Sequence, residues 1–133
     1  MLFGGIEGGG TKFVCAIGDA EGRVLARERI PTTTPEETLQ RSVAYFAAQQ
    51  AARGEKLAAF GIASFGPVDL NPASEHYGFI TRTPKAGWSY TDVAGTVRRA
   101  FPGVPVGFDT DVNGAGLAEH RWGAARAWQT FVY

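Results

Sequence analysis

In 133 residues there is one cysteine, one methionine and two histidines. A lone Cys15 excludes an internal disulfide and fits a reducing compartment, and its place in an apolar alternating run reads as a small buried hydrophobe. His76 and His120 have no metal-ligand spacing to one another and read as loop or surface histidines. No apolar run approaches a membrane span, and the N-terminus lacks the charged and apolar regions of a secretory leader. The expectation is a cytoplasmic protein with no membrane partner. Neither sign of charge prevails: 13 basic and 13 acidic residues cancel, so no overall field draws the chain to nucleic acid. With 44% hydrophobic and 20% charged residues, a disordered composition is excluded, and the length allows one domain with a real core.

Glycine is plentiful, at 18 residues, but clustered, which marks places where backbone must come close to something. Leu2–Glu7 is apolar and runs into Gly8-Gly9-Gly10; Thr11–Gly18 and Arg23–Ile30 alternate like half-buried strands, separated by the turn Asp19-Ala20-Glu21-Gly22. This predicts an antiparallel meander. A helix follows, with Thr34 as N-cap, Pro35 at its first position, Glu37 closing a capping box and Gly54 ending it. Leu57–Ser64 reads as a buried strand entering a Phe65-Gly66-Pro67 turn, and 69–89 as a long irregular segment of the kind that carries function. A second helix is expected over Thr91–Phe101, a strand over Val104–Phe108, a third helix over Val112–Ala125 and the start of a strand over Ala127–Tyr133. Trp122 and Trp128, around the end of the third helix, read as packing residues. A meander followed by strand–helix alternation predicts an α/β fold: a mixed sheet with helices on its faces, in the ribonuclease-H-like layout of actin and hexokinase lobes.

The stretch Gly4-Gly5-Ile6-Glu7-Gly8-Gly9-Gly10-Thr11-Lys12 is the most informative. A Walker A loop and a dinucleotide fingerprint both lead into a helix, whereas a strand follows here, so both are excluded. What remains is a glycine turn between antiparallel strands, exposing backbone N–H groups that form an anion-binding concavity. Thr11 adds a hydroxyl, Lys12 a charge, and Glu7 an acceptor for a hydrated Mg²⁺ beside phosphates. An ordinary glycine-rich hairpin is the alternative, although three consecutive glycines exceed what a two-residue turn requires.

Phe108-Asp109-Thr110-Asp111-Val112-Asn113 sits where a strand ends and a helix begins, the place where α/β sheets bind ligands. In an extended segment Asp109 and Asp111 share a face. A carboxylate there can accept a proton from an attacking hydroxyl. Equally, Asp111 or Asn113 can simply cap the helix.

Together these pieces resemble the ROK family, and within it the bacterial fructokinases. Glu7-Gly8-Gly9-Gly10-Thr11-Lys12 is similar to the family's first phosphate motif, with Glu where most members carry Asp. Gly61-Ile62-Ala63-Ser64-Phe65-Gly66-Pro67-Val68-Asp69 looks like its second strand and sugar-side loop. Tyr77-Gly78-Phe79-Ile80 with Thr83-Pro84-Lys85-Ala86-Gly87-Trp88 resembles the fructokinase substrate loop. Thr110-Asp111-Val112-Asn113, followed by Glu119, is similar to the catalytic segment, with Thr110 where many members have Asn.

The resemblance runs over the whole chain and implies the N-terminal lobe of a sugar kinase, with the C-terminal lobe absent. It implies Asp111 as catalytic base, Gly8, Gly9, Gly10, Thr11 and Lys12 as the ATP phosphate site, and Gly66, Thr83, Thr110, Asp111 and Asn113 as sugar contacts. It implies a hexose and ATP as small-molecule partners, Mg²⁺ near Glu7, and zinc only in the missing part. A homodimer is left open. Two other readings stand beside it. A sugar-responsive repressor needs a DNA-binding segment ahead of the phosphate loop, for which Leu2 leaves no room. A non-catalytic binding lobe acting through a partner chain is the second. An isolated lobe is expected to be inactive, because phosphoryl transfer needs charge stabilisation from both sides of a cleft.

Overall fold

The computed structural model describes residues 1–123 and Arg126. The expected strand over Ala127–Tyr133, the end of the third helix at Ala125, and Trp128 lie outside the described residues. Among the described residues five strands form one sheet: β1 (Leu2–Gly8), β2 (Lys12–Asp19), β3 (Val24–Pro31), β4 (Leu57–Ser64) and β5 (Val106–Thr110), in the order β3-β2-β1-β4-β5. The first three pair antiparallel and β1, β4 and β5 run parallel, which is the expected meander followed by crossovers. Helices α1 (Pro35–Arg53) and α2 (Val93–Ala100) make the crossover from β3 to β4 and part of that from β4 to β5, and α3 (Asp111–Trp122) follows β5.

Alternation along the strands decides the layers. On β1, Leu2, Gly4, Ile6 and Gly8 are buried while Phe3 and Gly5 are half-buried and Glu7 is exposed. Phe13, Cys15 and Ile17 continue the buried face on β2, and Phe60 and Ile62 on β4. That face packs on Leu39 and Phe46 of α1 and on Val93, Val97 and Phe101 at α2. Aromatic edges interlock there, with Phe46 and Phe60 crossing at 89° and centroids 5.0 Å apart. The opposite face is paved with Gly5, Ala16, Gly61, Ala63 and Gly107, and α3 lies against its β4–β5 side.

The local signals behave as their chemistry dictates, with four corrections. Thr34 caps α1 through a 3.2 Å bond from the Glu37 N–H, and Gly54 ends it in the left-handed region at φ 63°. The capping box does not close: the Glu37 carboxylate accepts from the Thr33 hydroxyl instead, at 3.0 Å. Helix α2 begins at Val93, not Thr91, because Asp92 caps it by accepting from the Gly95 N–H at 2.8 Å. Thr91–Asp92 instead pairs with Phe79–Ile80 in a two-stranded ribbon, so the long segment after Pro67 is partly regular. Strand β5 starts at Val106, since the Val104 N–H is spent on the turn after α2, donating to the Phe101 carbonyl at 3.2 Å, and Pro105 has no N–H; it runs on through Asp109 and Thr110. Finally, α3 starts at Asp111 rather than Val112, and its cap is Thr110, not Asp111 or Asn113.

Candidate active site

Register brings the sequence motifs to one edge. Gly8 is opposite Ser64, and Ser64 is opposite Thr110, so the carboxyl ends of three parallel strands finish level. One step back, Glu7, Ala63 and Asp109 form a second row pointing to the small-residue face. Side chains two strands apart on such a row spring from backbones about 10 Å apart. Glu7, Asp109 and Asp111 all line one cleft of about 570 Å³, floored by Gly5, Gly61 and Gly107 and walled by α3. The pairing of Glu7 with Asp109 across Ala63 is not visible in the sequence, because it depends on parallel register between segments some 50–100 residues apart.

Asp109 and Asp111 do not share an extended face, because the helix begins between them. Asp109 Oδ1 accepts from the Thr110 N–H at 2.7 Å and from Asn113 Nδ2 at 2.8 Å, which fixes the strand-to-helix corner. The Thr110 hydroxyl accepts from the Asn113 N–H at 3.0 Å. Asp111 Oδ1 accepts from the next residue's N–H at 2.9 Å, and its carboxylate sits in the first turn, where the helix dipole favours negative charge. Its other oxygen has no hydrogen-bond partner among the described residues. Asp109 and Asn113 thus hold the corner, and Asp111 is the carboxylate left facing the cleft.

The glycines differ in why they are glycines. A Cβ on Gly8 would sit 2.9 Å from the Phe13 ring, which is fully buried, and one on Gly9 would sit 2.9 Å from the Lys12 carbonyl oxygen. A Cβ on Gly10 would meet nothing within 4 Å. The hairpin carbonyls are pinned from inside: Gly9 N–H donates to Lys12 O at 2.9 Å, and Thr32 donates through its hydroxyl to Gly9 O at 2.7 Å and through its N–H to Thr11 O at 3.0 Å. The Gly10 and Thr11 N–H groups make no backbone hydrogen bond among the described residues, and both residues are exposed with Lys12 beside them. This arrangement presents donors and a cation outward, as an anion site requires.

Gly66 and Thr83 also come together, the Thr83 hydroxyl donating to the Gly66 carbonyl at 3.2 Å, and the Phe65 N–H donates to the Gly8 carbonyl at 2.7 Å. The Phe65-Gly66-Pro67 turn is therefore tied to the glycine hairpin. Of the sequence-selected residues, Glu7 and Asp111 line the 570 Å³ cleft, whereas the hairpin residues Gly8 to Lys12, Gly66, Thr83, Thr110 and Asn113 are not part of its lining. Trp88, in the substrate-like loop, is fully buried between Phe13 and Phe65, each with ring centroids 5.5 Å away. Sequence reading did not place it in the core; a tryptophan among polar loop residues was the available signal.

No group of three or more His, Cys, Asp or Glu among the described residues is arranged to hold a metal. A cation beside Glu7 would keep most of its water, which suits Mg²⁺ and not a tightly ligated transition metal. Burial pushes the Cys15 thiol up to about 11, so it is no nucleophile. His76 lies in a loop against the Phe79 and Tyr90 rings. Trp122 is 57% exposed, with its indole over Gly22. No helix among the described residues is long and apolar enough to cross a membrane.

The chain is 52% identical over 132 residues to a fructokinase from Zymomonas mobilis, covering 99% of this chain and 44% of that protein. The ROK hexokinase of Thermus thermophilus superposes with a TM-score of 0.77 at 28% identity, over 96% of this chain and 41% of that one. A ROK family glucokinase from Streptomyces griseus, solved in complex with glucose and AMPPNP, superposes at 0.72 with 28% identity, over 96% of this chain and 38% of that one. The chain thus spans less than half the length of these relatives. The ROK family match extends over residues 3–133, and the chain belongs to that family.

Proposed function

We propose that this chain is the N-terminal lobe of an ATP- and Mg²⁺-dependent kinase that phosphorylates the 6-hydroxyl of a hexose, with fructose as the acceptor. The observation that carries this reading is the level finish of β1, β4 and β5, which gathers a donor-presenting hairpin, the Gly66 turn and the cleft-lining Asp111 at one edge. Fructose is favoured over glucose because the fructokinase relative shares 52% identity and the glucokinase structure 28%.

In this reading the Asp111 carboxylate takes the proton of the 6-hydroxyl as its oxygen bonds to the γ-phosphorus. The bond from that phosphorus to the β,γ-bridging oxygen breaks, and ADP leaves with the electron pair. A general base of this kind contributes roughly 10²–10⁴-fold. Gly10, Thr11 and Lys12 hold the phosphates, and Gly66, Thr83, Thr110 and Asn113 surround the sugar. Glu7 would hold Mg²⁺ through water, and the ion would supply charge neutralisation for the phosphates. The chemistry belongs in the cytoplasm, where ATP is made.

The test is Asp111→Asn in the polypeptide encoded by the complete reading frame. Fructose-dependent ADP release should fall by roughly 10²–10⁴-fold while calorimetry still finds fructose binding. Undiminished turnover would remove Asp111 from the role. Fructose and ATP binding with no turnover in the unaltered polypeptide would favour a binding lobe that acts through a partner.

A further inference from the structure

Trp88 links the segments that flank two loops of the proposed site, through contacts with Phe65 and Phe13 and a bond to Thr33. Its own loop begins at Thr83, which is bonded to the Gly66 carbonyl, and is folded back by a 3.2 Å bond from the Trp88 N–H to the Lys85 carbonyl. The indole packs on Phe65, which opens the Gly66 turn, and on Phe13, whose ring lies under Gly8. Its Nε1–H donates to the Thr33 carbonyl at 2.8 Å, across 55 positions of sequence. The neighbouring Thr32 is the residue whose hydroxyl and N–H grip the hairpin carbonyls of Gly9 and Thr11. With zero exposure the indole has no free space in which to pivot, so a shift of the substrate loop is passed to its neighbours.

On the strength of the function proposed above, we propose that Trp88 is a positioning residue that couples sugar occupancy to the phosphate hairpin. Sugar bound against Thr83 fixes the loop, the loop fixes the indole, and the indole holds Thr33 and Thr32 so that the Gly10 and Thr11 donors stand ready for the nucleotide. Trp88 itself touches neither substrate. The free-energy link runs both ways: nucleotide tightens sugar as much as sugar tightens nucleotide.

The experiment is a calorimetric cycle on the polypeptide from the complete reading frame, titrating AMPPNP with and without fructose, and fructose with and without AMPPNP. The unaltered protein should show mutual tightening, in the roughly 5–150-fold range of such couplings. Trp88→Phe keeps an aromatic ring between Phe13 and Phe65 but removes the N–H; Thr32→Val breaks the same chain at its far end. Each should cut the coupling by roughly 2–10-fold, the worth of one hydrogen bond, while fructose affinity measured alone stays within about twofold. A purely structural role would instead weaken both ligands equally and leave the coupling intact. Coupling unchanged in both variants, or absent from the unaltered protein, overturns the inference while leaving the kinase reading standing. Failure of the unaltered protein to bind fructose and AMPPNP overturns both.

Discussion

Replacing Gly10 and Gly8 by alanine, one at a time, separates what the fold requires of the hairpin from what a ligand requires. At Gly8 the new methyl lands 2.9 Å from the Phe13 ring. That ring is wholly buried and stacked against Trp88, so it cannot swing aside. Overpacking of this kind costs about 1–3 kcal/mol. A domain of this size loses roughly 2–8 °C of melting temperature per kcal/mol, so Gly8→Ala should melt visibly early. At Gly10 the same methyl meets nothing within 4 Å, and the backbone is not left-handed. Loss of unfolded-state freedom should leave Gly10→Ala as stable as the parent or about 0.4–1 kcal/mol more so. If Gly10 is glycine so that phosphate oxygens can reach its N–H, the methyl occupies that approach and nucleotide affinity drops by about tenfold or more, on the order of 1.4 kcal/mol. The assays are thermal unfolding by circular dichroism and AMPPNP titration, both on the polypeptide from the complete reading frame. A Gly10→Ala protein that is stable and binds AMPPNP as the parent does would refute the argument that open space around Gly10 is kept for a ligand.

Three further outcomes follow from the same structure. The isolated 133-residue chain should release no ADP in a fructose- and ATP-dependent assay, since charge on the transferring phosphoryl group would be met from one side only; robust turnover would contradict this. Hydrogen bonds from the Arg23 backbone and guanidinium, and from the Glu21 N–H, hold the Asp19 carboxyl below its ordinary 3.8. Because the folded-state value is depressed, that stabilisation is present above pH 3.8 and is lost as pH falls through the folded value. Asp19→Asn should therefore flatten the acid limb of a stability–pH curve, and an identical limb in the variant would count against the turn as its source. Cys15, with its thiol pushed up to about 11, should resist iodoacetamide at pH 8 and react only on unfolding; rapid native alkylation would contradict its burial.

How much could be read in advance depended on the range of the interaction involved. The meander and α1 announce themselves through alternation and through Thr34, Pro35 and Gly54, all acting within a few residues. The start of β5 lies two residues beyond the apolar pattern because Val104, though apolar, has its N–H bonded to the Phe101 carbonyl in the preceding turn. Capping by Thr110 is hidden for a related reason: Asp111 and Asn113 are equally good caps on paper. Only the strand's length decides which residue stands at the corner. The residues around Glu7 and Gly10 stand out because three consecutive glycines exceed what a turn requires, whereas Asp111 is set apart from an ordinary helix cap only by the family resemblance. The Glu7–Ala63–Asp109 row and the burial of Trp88 were not legible, since both are created by tertiary register.

The close approach of α3 to the sheet has an evolutionary side. A Cβ on Gly114 would stand 2.5 Å from that of Ala63, so helix backbone rests directly on the strand that separates Glu7 from Asp109. The height of Asp111 above the cleft floor is set by a missing methyl group one turn along its own helix. Every single-base change that alters a glycine codon to another amino acid adds a Cβ. Drift at this position therefore has one direction: it can lift the carboxylate away from the sheet and can never bring it nearer. The spacing sits at a hard stop, where selection can only preserve it or lose it.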